Sequence, residues 1–416
     1  MTSPKRRKTR KERREPSAAG TVGAGADEPN PNPSDADPSD VCPAPRALLR
    51  EDDDAAAGFA DWATWQLIDP LLPTGGFAHS QGLEAAARAG LVAGGDERSG
   101  RRGEEETGWD VGTFARECVA NAASQSVPFV EAARRVFERL RTIETIETTS
   151  QEGRSADTGD LVSEKHETYD DACPDEETKK NVREERSEKK IREAVEDFVA
   201  LDRRLAARLV GNAAATRASA ATGAALLRAA IAAFGNPNPN NANETESSTE
   251  EKSSFLSEPL TEALRRAKAS ARDVERARAT RLPGAHVAVV FGAVTGALGF
   301  GAKHAARMFV YLTLRDTLSA ATRLNLLGPL AAGAAMRRCA ARADASAAEA
   351  ADACARAADL AAAVPRFRDF DDFDDAPRRK RRAVLLAMTS RAASSAPLVD
   401  VVHAGHDALL SRLFNT

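Results

Sequence analysis

The stretch 287–302, VAVVFGAVTGALGFGA, is the most apolar part of the chain, and it decides the fold class. It is too short and too rich in glycine for a transmembrane helix, which needs about 20 mostly apolar residues. Gly292 and Gly296 lie four residues apart, so they share one helix face, where a second backbone can come close. The stretch therefore predicts a buried central helix packed directly against another helix.

Composition favours helices for the rest of the molecule. Hydrophobic residues make up 42% of the 416 residues and aromatic residues only 5%, so the core must consist mainly of alanine, leucine and valine. Alanine and leucine are strong helix formers, and alanine is depleted in strands. We expect an all-α, bundle-like single domain, in which the extra length is taken up by insertions.

Charge and cysteine usage exclude several classes of protein. A formal net charge of −4 argues against a nucleic-acid binder over the whole molecule. The five cysteines lie far apart without a C-x-x-C pair, so neither a zinc site nor a disulfide framework is indicated. The pattern fits a reducing compartment, and we expect a cytoplasmic protein.

A second stretch, residues 65–84 with the sequence WQLIDPLLPTGGFAHSQGLE, indicates what the protein does. An apolar helical run ends at Pro70, and Pro73, Gly75 and Gly76 then impose a stiff turn. We call residues 70–82 the elbow. It presents Phe77, and His79 or Ser80 is expected to cap the next helix, with Glu84 in its first turn. An exposed aromatic on a rigid loop is typical of a recognition surface.

This second stretch resembles the N-terminal signature of the UreF family of urease accessory proteins. The matching positions are Leu72, Pro73, Thr74, Gly75, Gly76, Phe77, Ser80, Gly82, Leu83 and Glu84. Further similar positions are Phe291, Gly292, Leu298, Gly299, the run 323–328, Pro397, Leu398, Asp400, His403 and the run 411–414. Thr74 and His79 make the chain look most similar to the plant and algal branch.

The resemblance implies a non-catalytic homodimer that binds the UreD/UreH accessory protein and recruits the GTPase UreG. That complex delivers nickel to apo-urease, so nickel and GTP would be handled by the partners, and this chain would hold no cofactor of its own. Neither a membrane nor a nucleic acid is an expected partner. Whether such a protein speeds or restrains GTP hydrolysis stays open.

Residues 1–58 and four internal segments are expected to be disordered. The N-terminal segment is basic over residues 5–14 and then rich in Pro, Asp, Gly and Asn, which leaves too little apolar surface to fold. The basic run also fits a nuclear-localisation signal or a nucleic-acid-binding arm. The internal segments are 94–108, 142–190, 235–254 and 365–382, and the last third of 142–190 could form a solvated helix. Residues 331–364 predict an alanine-rich pair of helices.

Residues 78–82, AHSQG, suggest one enzyme alternative, an α/β-hydrolase using Ser80. Asp400 with His403 or His406 would complete the order Ser, Asp, His. The nucleophile elbow of such enzymes follows a buried strand, and residues 73–77 instead read as a turn.

Two other motifs are weaker still. His403 and His406 stand at helical spacing and could bind a metal only with a third ligand from elsewhere, so no metal site is predicted. The glycines of 296–303 lack the Gly-Lys-Ser/Thr order of a P-loop.

The C-terminal residues 410–416, which we call the tail, combine Arg412 with apolar Leu413 and Phe414. A segment that only frays would not need these apolar side chains, so we expect the tail to dock. The predicted partner-binding residues are therefore Phe77, His79, Ser80 and Glu84 at the elbow and Arg412, Leu413 and Phe414 in the tail. Glu84 could equally be a structural carboxylate at the helix start.

Overall fold

Nearly all regular structure in the computed structural model is α-helical, which confirms the predicted fold class. The structure describes residues 61–93, 109–155, 176–236, 255–276, 284–363 and 376–415, all within the compact unit Ala55–Thr416. The helices are α1 (61–68), α2 (Leu83–Arg88), α3 (Val111–Asn121), α4 (Val127–Ser155), α5 (Glu176–Leu209), α6 (Ala213–Phe234), α7 (Glu258–Arg276), α8 (Val287–Ala297), α9 (Ala302–Arg323), α10 (Pro329–Ala363), α11 (Ala376–Ser390) and α12 (Pro397–Ala404). In the described ranges the only strands are β1 (Val92–Ala93) and β2 (Trp109–Asp110), which pair in parallel.

Helix α8 is the predicted central helix, and every residue from Ala288 to Ala297 is buried. Its two glycines lie against α4: a Cβ at Gly292 would overlap the carbonyl oxygen of Val130, and one at Gly296 would overlap that of Arg134. The two backbones therefore touch along this face, as the glycine spacing predicts. We call this contact the α4–α8 seam.

A buried ionic cluster lies beside the α4–α8 seam. Arg134 is 5% exposed, and its Nε donates to Glu131 Oε2 at 2.6 Å. Its Nη1 donates to the carbonyl oxygen of Phe300, just beyond the end of α8, at 3.1 Å. Glu138 adds an ion pair at 2.8 Å. Because every side of the guanidinium is paired, its burial is compensated.

The start of α8 is held by a carboxylate from α5. Asp202, which is buried, accepts hydrogen bonds from the backbone N–H groups of Ala285 and His286 at 2.8 and 2.7 Å. These donors precede the first turn of α8 and would otherwise be buried without a partner. On the opposite side, Gly223 of α6 leaves room for the Ala285 carbonyl.

The described helices extend further than the insertions predicted from sequence. Helix α4 continues to Ser155 and α5 begins at Glu176, so both ends of the segment 142–190 are helical. The expected helix in the last third of this segment is confirmed, whereas its first residues, 142–155, are helical where a loop was predicted. Residues 376–382 likewise belong to α11. Residues 1–58, and the remaining parts of the predicted insertions at 94–108, 156–175, 237–254 and 365–375, lie outside the described residues.

The alanine-rich segment predicted as two helices is one helix, α10. Its buried positions form a stripe that continues without a break along the helix, at Ala335, Cys339, Ala343, Ala347, Ala351, Cys354 and Ala358. These small side chains pack against α9 and α11. A continuous stripe of contacts offers no reason for a break, and the sequence provides no proline within it. In the described residues no helix combines the length and apolar character that crossing a bilayer requires.

The α4–α8 seam predicts that a single methyl group added at Gly292 strongly destabilises the fold. Gly292→Ala should lower the free energy of unfolding by about 3 kcal/mol or more, because the added Cβ meets a backbone carbonyl that cannot move aside. The matched control is Gly333→Ala on α10, where the Cβ would meet no atom within 4 Å. That change should stabilise the chain by about 0.5–1 kcal/mol. Urea unfolding measures both, and equal effects would contradict the seam.

Candidate functional site

The elbow is shaped mainly by its own backbone. Asp69, just before it, accepts from the N–H of Leu71 through its side chain at 2.7 Å and ends α1. Gly75 and Gly82 adopt positive φ angles of 72° and 85°, which favour glycine. A Cβ at Gly76 would lie 2.6 Å from Asp316 Oδ2. The Pro-Gly sequence of the elbow therefore specifies one turn that fits closely against α9.

The helix cap differs from the prediction. Helix α2 begins at Leu83 with Gly82 as its N-cap and without a side-chain cap, so neither His79 nor Ser80 caps it. Both of those residues are buried instead, Ser80 fully and His79 with 7% exposed. The reason is the left-handed turn at Gly82, which places the chain entering α2 against His403.

Phe77 is exposed, as predicted, with 57% of its surface accessible. Other large apolar side chains are also exposed, at the start of the elbow and on the helix before it. Leu71 is 88% exposed, and Trp62 and Trp65 of α1 are 66% and 54% exposed, with their rings edge to face at 5.4 Å. An exposed group of apolar and aromatic side chains of this kind is characteristic of an interaction surface.

Glu84 lies at the centre of the site, beneath its surface. Its side chain is fully buried and accepts hydrogen bonds from the backbone N–H groups of Leu413 at 2.7 Å and Phe414 at 3.1 Å. His406 Nε2 lies 3.2 Å from the same carboxylate. The N–H of Asn415 donates to the carbonyl oxygen of Ala78 at 3.0 Å. The tail is therefore bound to the elbow through its backbone.

An arginine of α9 links the two aromatic residues of the site. The guanidinium carbon of Arg323 lies 4.3 Å from the ring centre of Phe414 and 5.9 Å from that of Phe77. Cation–π contacts at these distances are favourable, and more so where the cation is partly removed from water. Phe414 is only 3% exposed, so it anchors the tail, while Phe77 faces outward.

Arg412 lies at the edge of the site in an exposed ionic group. Asp407 accepts from Arg217 of α6 at 2.5 Å and from Arg412 at 3.4 Å. All three side chains are 40–48% exposed. Two guanidinium groups thus share one carboxylate, which leaves donors of Arg412 directed to solvent.

The structure divides the seven predicted partner-binding residues into two groups. Phe77, Arg412 and Leu413 are exposed and available for contact. His79, Ser80, Glu84 and Phe414 are buried within the chain. These four lie beneath the surface that the other three share, and a contact of theirs with a partner stays a prediction. The hydrogen bonds of Glu84 support the alternative in which it is a structural carboxylate at the start of α2.

Sequence reasoning missed Arg323, Asp407 and Arg217 as members of the site. Arg323 begins the run 323–328 that resembles the UreF pattern, which is the signal that could have singled it out. No local pattern indicates that Asp407 and Arg217 are neighbours, because they meet only through the packing of α6 against the C-terminal residues.

The hydrolase alternative is wrong. Residues Gly76–Ala78, which precede Ser80, form a 3-10 turn and not a buried strand. Ser80 has no accessible surface, and the Asp400 carboxylate accepts from Asn121 at 3.2 Å. The geometry therefore lacks the strand–nucleophile–helix arrangement that such chemistry needs.

The histidine pair also has a structural partner. His403 and His406 are both buried, and His406 contacts Glu84. Among the described residues no group of three potential ligands is placed to hold a metal ion. A cavity of about 170 Å³ with a mainly apolar lining lies under the elbow, and His79, His403 and Asp316 are among the polar residues that line it.

Burial and hydrogen bonding shift the pKa values of three titratable groups in this cluster. It lowers the pKa of His79, with a further contribution from His406, and lowers that of His403 to about 4, aided by His406, His79 and Arg217 and opposed by Asp407. Burial alone would raise the pKa of Glu84, but its hydrogen bonds outweigh burial and lower that pKa. All three groups therefore bind protons less readily in the folded chain.

Comparison with known proteins gives consistent results. The sequence model of the UreF family matches residues 189–340. The chain is 27% identical over 283 residues to the urease accessory protein F of Oryza sativa subsp. indica, which covers 68% of this chain and 70% of the rice protein. It is 28% identical over 285 residues to the urease accessory protein F of Arabidopsis thaliana, covering 68% of this chain and 77% of the Arabidopsis protein.

The hydrogen bonds of Glu84 predict that replacing one of its carboxylate oxygens weakens the binding of the tail. Glu84→Gln replaces an acceptor oxygen with an NH₂ group that faces a donor, which should cost about 1–3 kcal/mol. We expect carboxypeptidase to remove residues from the tail at least several times faster than in the wild-type chain. Glu349→Gln, at an exposed position of α10, is the control. Unchanged trimming in Glu84→Gln would contradict the contact.

The histidine pKa values predict a loss of stability in acid. A group with a lowered pKa stabilises the fold above its unfolded pKa, and this contribution is lost as the pH falls, here from about 6.5 towards 4. Between pH 7 and pH 5 the free energy of unfolding should fall by about 1 kcal/mol or more through His403. In His403→Gln the free energy of unfolding should fall less over this pH range, as measured by urea unfolding at each pH. The control is His304→Gln, at an exposed site of α9, which should show the same fall as the wild-type chain.

Proposed function

We propose that this chain, which belongs to the UreF family of urease accessory proteins, is a scaffold that binds a UreD/UreH-like accessory protein and recruits a UreG-like GTPase for the delivery of nickel to apo-urease. Proteins of this family are maturation factors and not enzymes, so the chain is not an enzyme. Its accessory role in urease maturation follows from membership of the family. The identity of the partners is the proposal.

The observation that carries the proposal is the joint surface of elbow and tail. Phe77 and Leu413 are exposed apolar side chains held in place by buried contacts, namely the glycine turns of the elbow and the Glu84 bonds to the tail. A rigid apolar anchor loses little conformational entropy on binding, which is the property of residues that dominate binding energy at interfaces.

Arg412 gives this surface a charged edge. It is exposed and only loosely bound to Asp407, so it can donate a two-pronged pair of hydrogen bonds to a carboxylate or phosphate of the partner. We therefore assign the apolar centre of the surface to Phe77 and Leu413 and its polar rim to Arg412.

Under this proposal nickel and GTP are held by the partner complex, and this chain contributes contact and orientation. The family resemblance also supports a homodimer. A cytoplasmic location, with nuclear import through residues 5–14 as the alternative, stays a prediction.

A pull-down with purified partners tests the proposal. The immobilised chain should retain a UreG-like GTPase in the presence of a UreD-like protein. Phe77→Ala and Arg412→Ala should each weaken retention by about tenfold or more, the usual effect of removing an interface anchor. Circular dichroism should show that both variants remain folded.

Two substitutions on α10 are matched controls. Leu360→Ala removes a side chain that is 71% exposed, and Arg337→Ala removes an exposed arginine. Neither should change retention. Loss of retention in the controls, or full retention in both elbow and tail variants, would remove this surface from the binding site.

A further inference from the structure

Arg323 is an exposed cation at the point where the elbow, the tail and α9 meet. It is the last residue of α9, and its guanidinium carbon lies 4.3 Å from the ring centre of the buried Phe414 and 5.9 Å from that of the exposed Phe77. The guanidinium therefore belongs to the surface that carries Phe77, where a bound protein can reach it.

The charge of Arg323 has no direct counter-ion within the described residues. Asp316 is the nearby carboxylate, but it is only 8% exposed, and its Oδ1 accepts from Nε and Nη2 of Arg315 at 2.9 and 2.8 Å. Burial lowers the pKa of the Arg323 guanidinium, and the charge of Asp316 opposes this effect only in part. A partly desolvated cation of this kind is stabilised when a further negative charge approaches it.

The other carboxylates of the site are bonded elsewhere. Asp69 accepts from a backbone N–H at the start of the elbow, Glu84 accepts from the backbone of the tail, and Asp407 is shared by two arginines. None of these three forms an ion pair with Arg323 in the part of the chain that the structure describes. A counter-ion for Arg323 must therefore come from outside these residues.

The hydrogen-bonding capacity of Arg323 is also largely unused. Its Nε donates to the carbonyl oxygen of Ser319 at a long distance of 3.4 Å, and its two terminal nitrogens have no acceptor among the described residues. The cation–π contact with Phe414 depends on the charge of the guanidinium and does not require these terminal N–H groups as donors. They remain available as the two-pronged donor that matches a carboxylate.

We propose that Arg323 binds the carboxylate of an aspartate or glutamate on the protein that contacts the elbow and tail. Apolar side chains next to that acidic residue then pack on Phe77 and Leu413, which are exposed on the same surface. One guanidinium balances a singly charged carboxylate, whereas a phosphate dianion would leave a negative charge near Asp316. This inference deepens the function proposed above and rests on it.

Retention of the UreG-like GTPase in the presence of the UreD-like protein, measured at low and at high salt, tests the contact. Arg323→Gln should weaken retention by about tenfold or more and make it less sensitive to salt, because a charge pair is lost. Arg323→Lys should weaken retention less, since it keeps the charge but not the fork. The control is Arg337→Gln, at an exposed position of α10, which should bind as the wild-type chain does.

A cross-linking experiment separates a direct contact from a structural role of Arg323 in holding the tail. A carbodiimide joins an amine directly to a carboxylate, so the amine that Arg323→Lys introduces should form an amide with an aspartate or glutamate of the partner. Mass spectrometry of the cross-linked complex identifies both residues. Arg337→Lys should give no such product. Carboxypeptidase trimming of the unbound variants shows whether the tail is still docked.

The outcomes distinguish this inference from the function on which it rests. If the wild-type chain retains neither partner, the proposed function fails and the contact fails with it. If the wild-type chain binds, but Arg323→Gln binds equally well at both salt concentrations, the contact is wrong and the proposed function stands. The contact is also wrong if Arg323→Gln releases the tail and the amine at position 323 forms no cross-link to the partner.

Discussion

The direct backbone contact between α4 and α8 is the constraint on which the rest of the structure depends. Gly292 and Gly296 let the carbonyl oxygens of Val130 and Arg134 occupy the space of two absent side chains. Helices this close exclude water along their whole contact and bury backbone polar groups that are already paired within each helix. The remaining helices then pack around a core in which alanine can fill the gaps, and this explains why so few aromatic residues suffice.

Buried carboxylates connect distant parts of the chain to that core in one recurring way. Asp202 accepts from two consecutive backbone N–H groups before α8, and Glu84 accepts from two consecutive N–H groups of the tail. In each case a helix supplies one charged acceptor to a pair of donors from a remote segment. Such charge-assisted bonds are stronger than neutral ones and fix position without depending on the side chains of the captured segment. The side chain of Leu413 is thereby left exposed for recognition.

The candidate site follows from this arrangement. The elbow is rigid because its glycines fit against α9 and α12, and the tail is ordered because Glu84 holds it and Arg323 stacks on Phe414. Phe77 and Leu413 are therefore exposed on a backbone that buried contacts hold in place, and Arg412 lies beside them at the exposed edge. A surface built in this way suits a protein that binds other proteins.

The sequence by itself determined the all-α class, the central position of α8, the close approach at its glycines and the exposed aromatic of the elbow. Each of these depends on local pattern: helix propensity, apolar run, four-residue spacing and the fixed φ of proline. Only the tertiary structure decided that Glu84 and Ser80 face inward, that Arg323, Asp407 and Arg217 join the site, and that residues 331–363 form part of one long helix. These outcomes depend on contacts between segments that are distant in sequence; Glu84 and the tail, for example, are more than 300 residues apart. No local pattern encodes which face of a short helix a distant segment will cover.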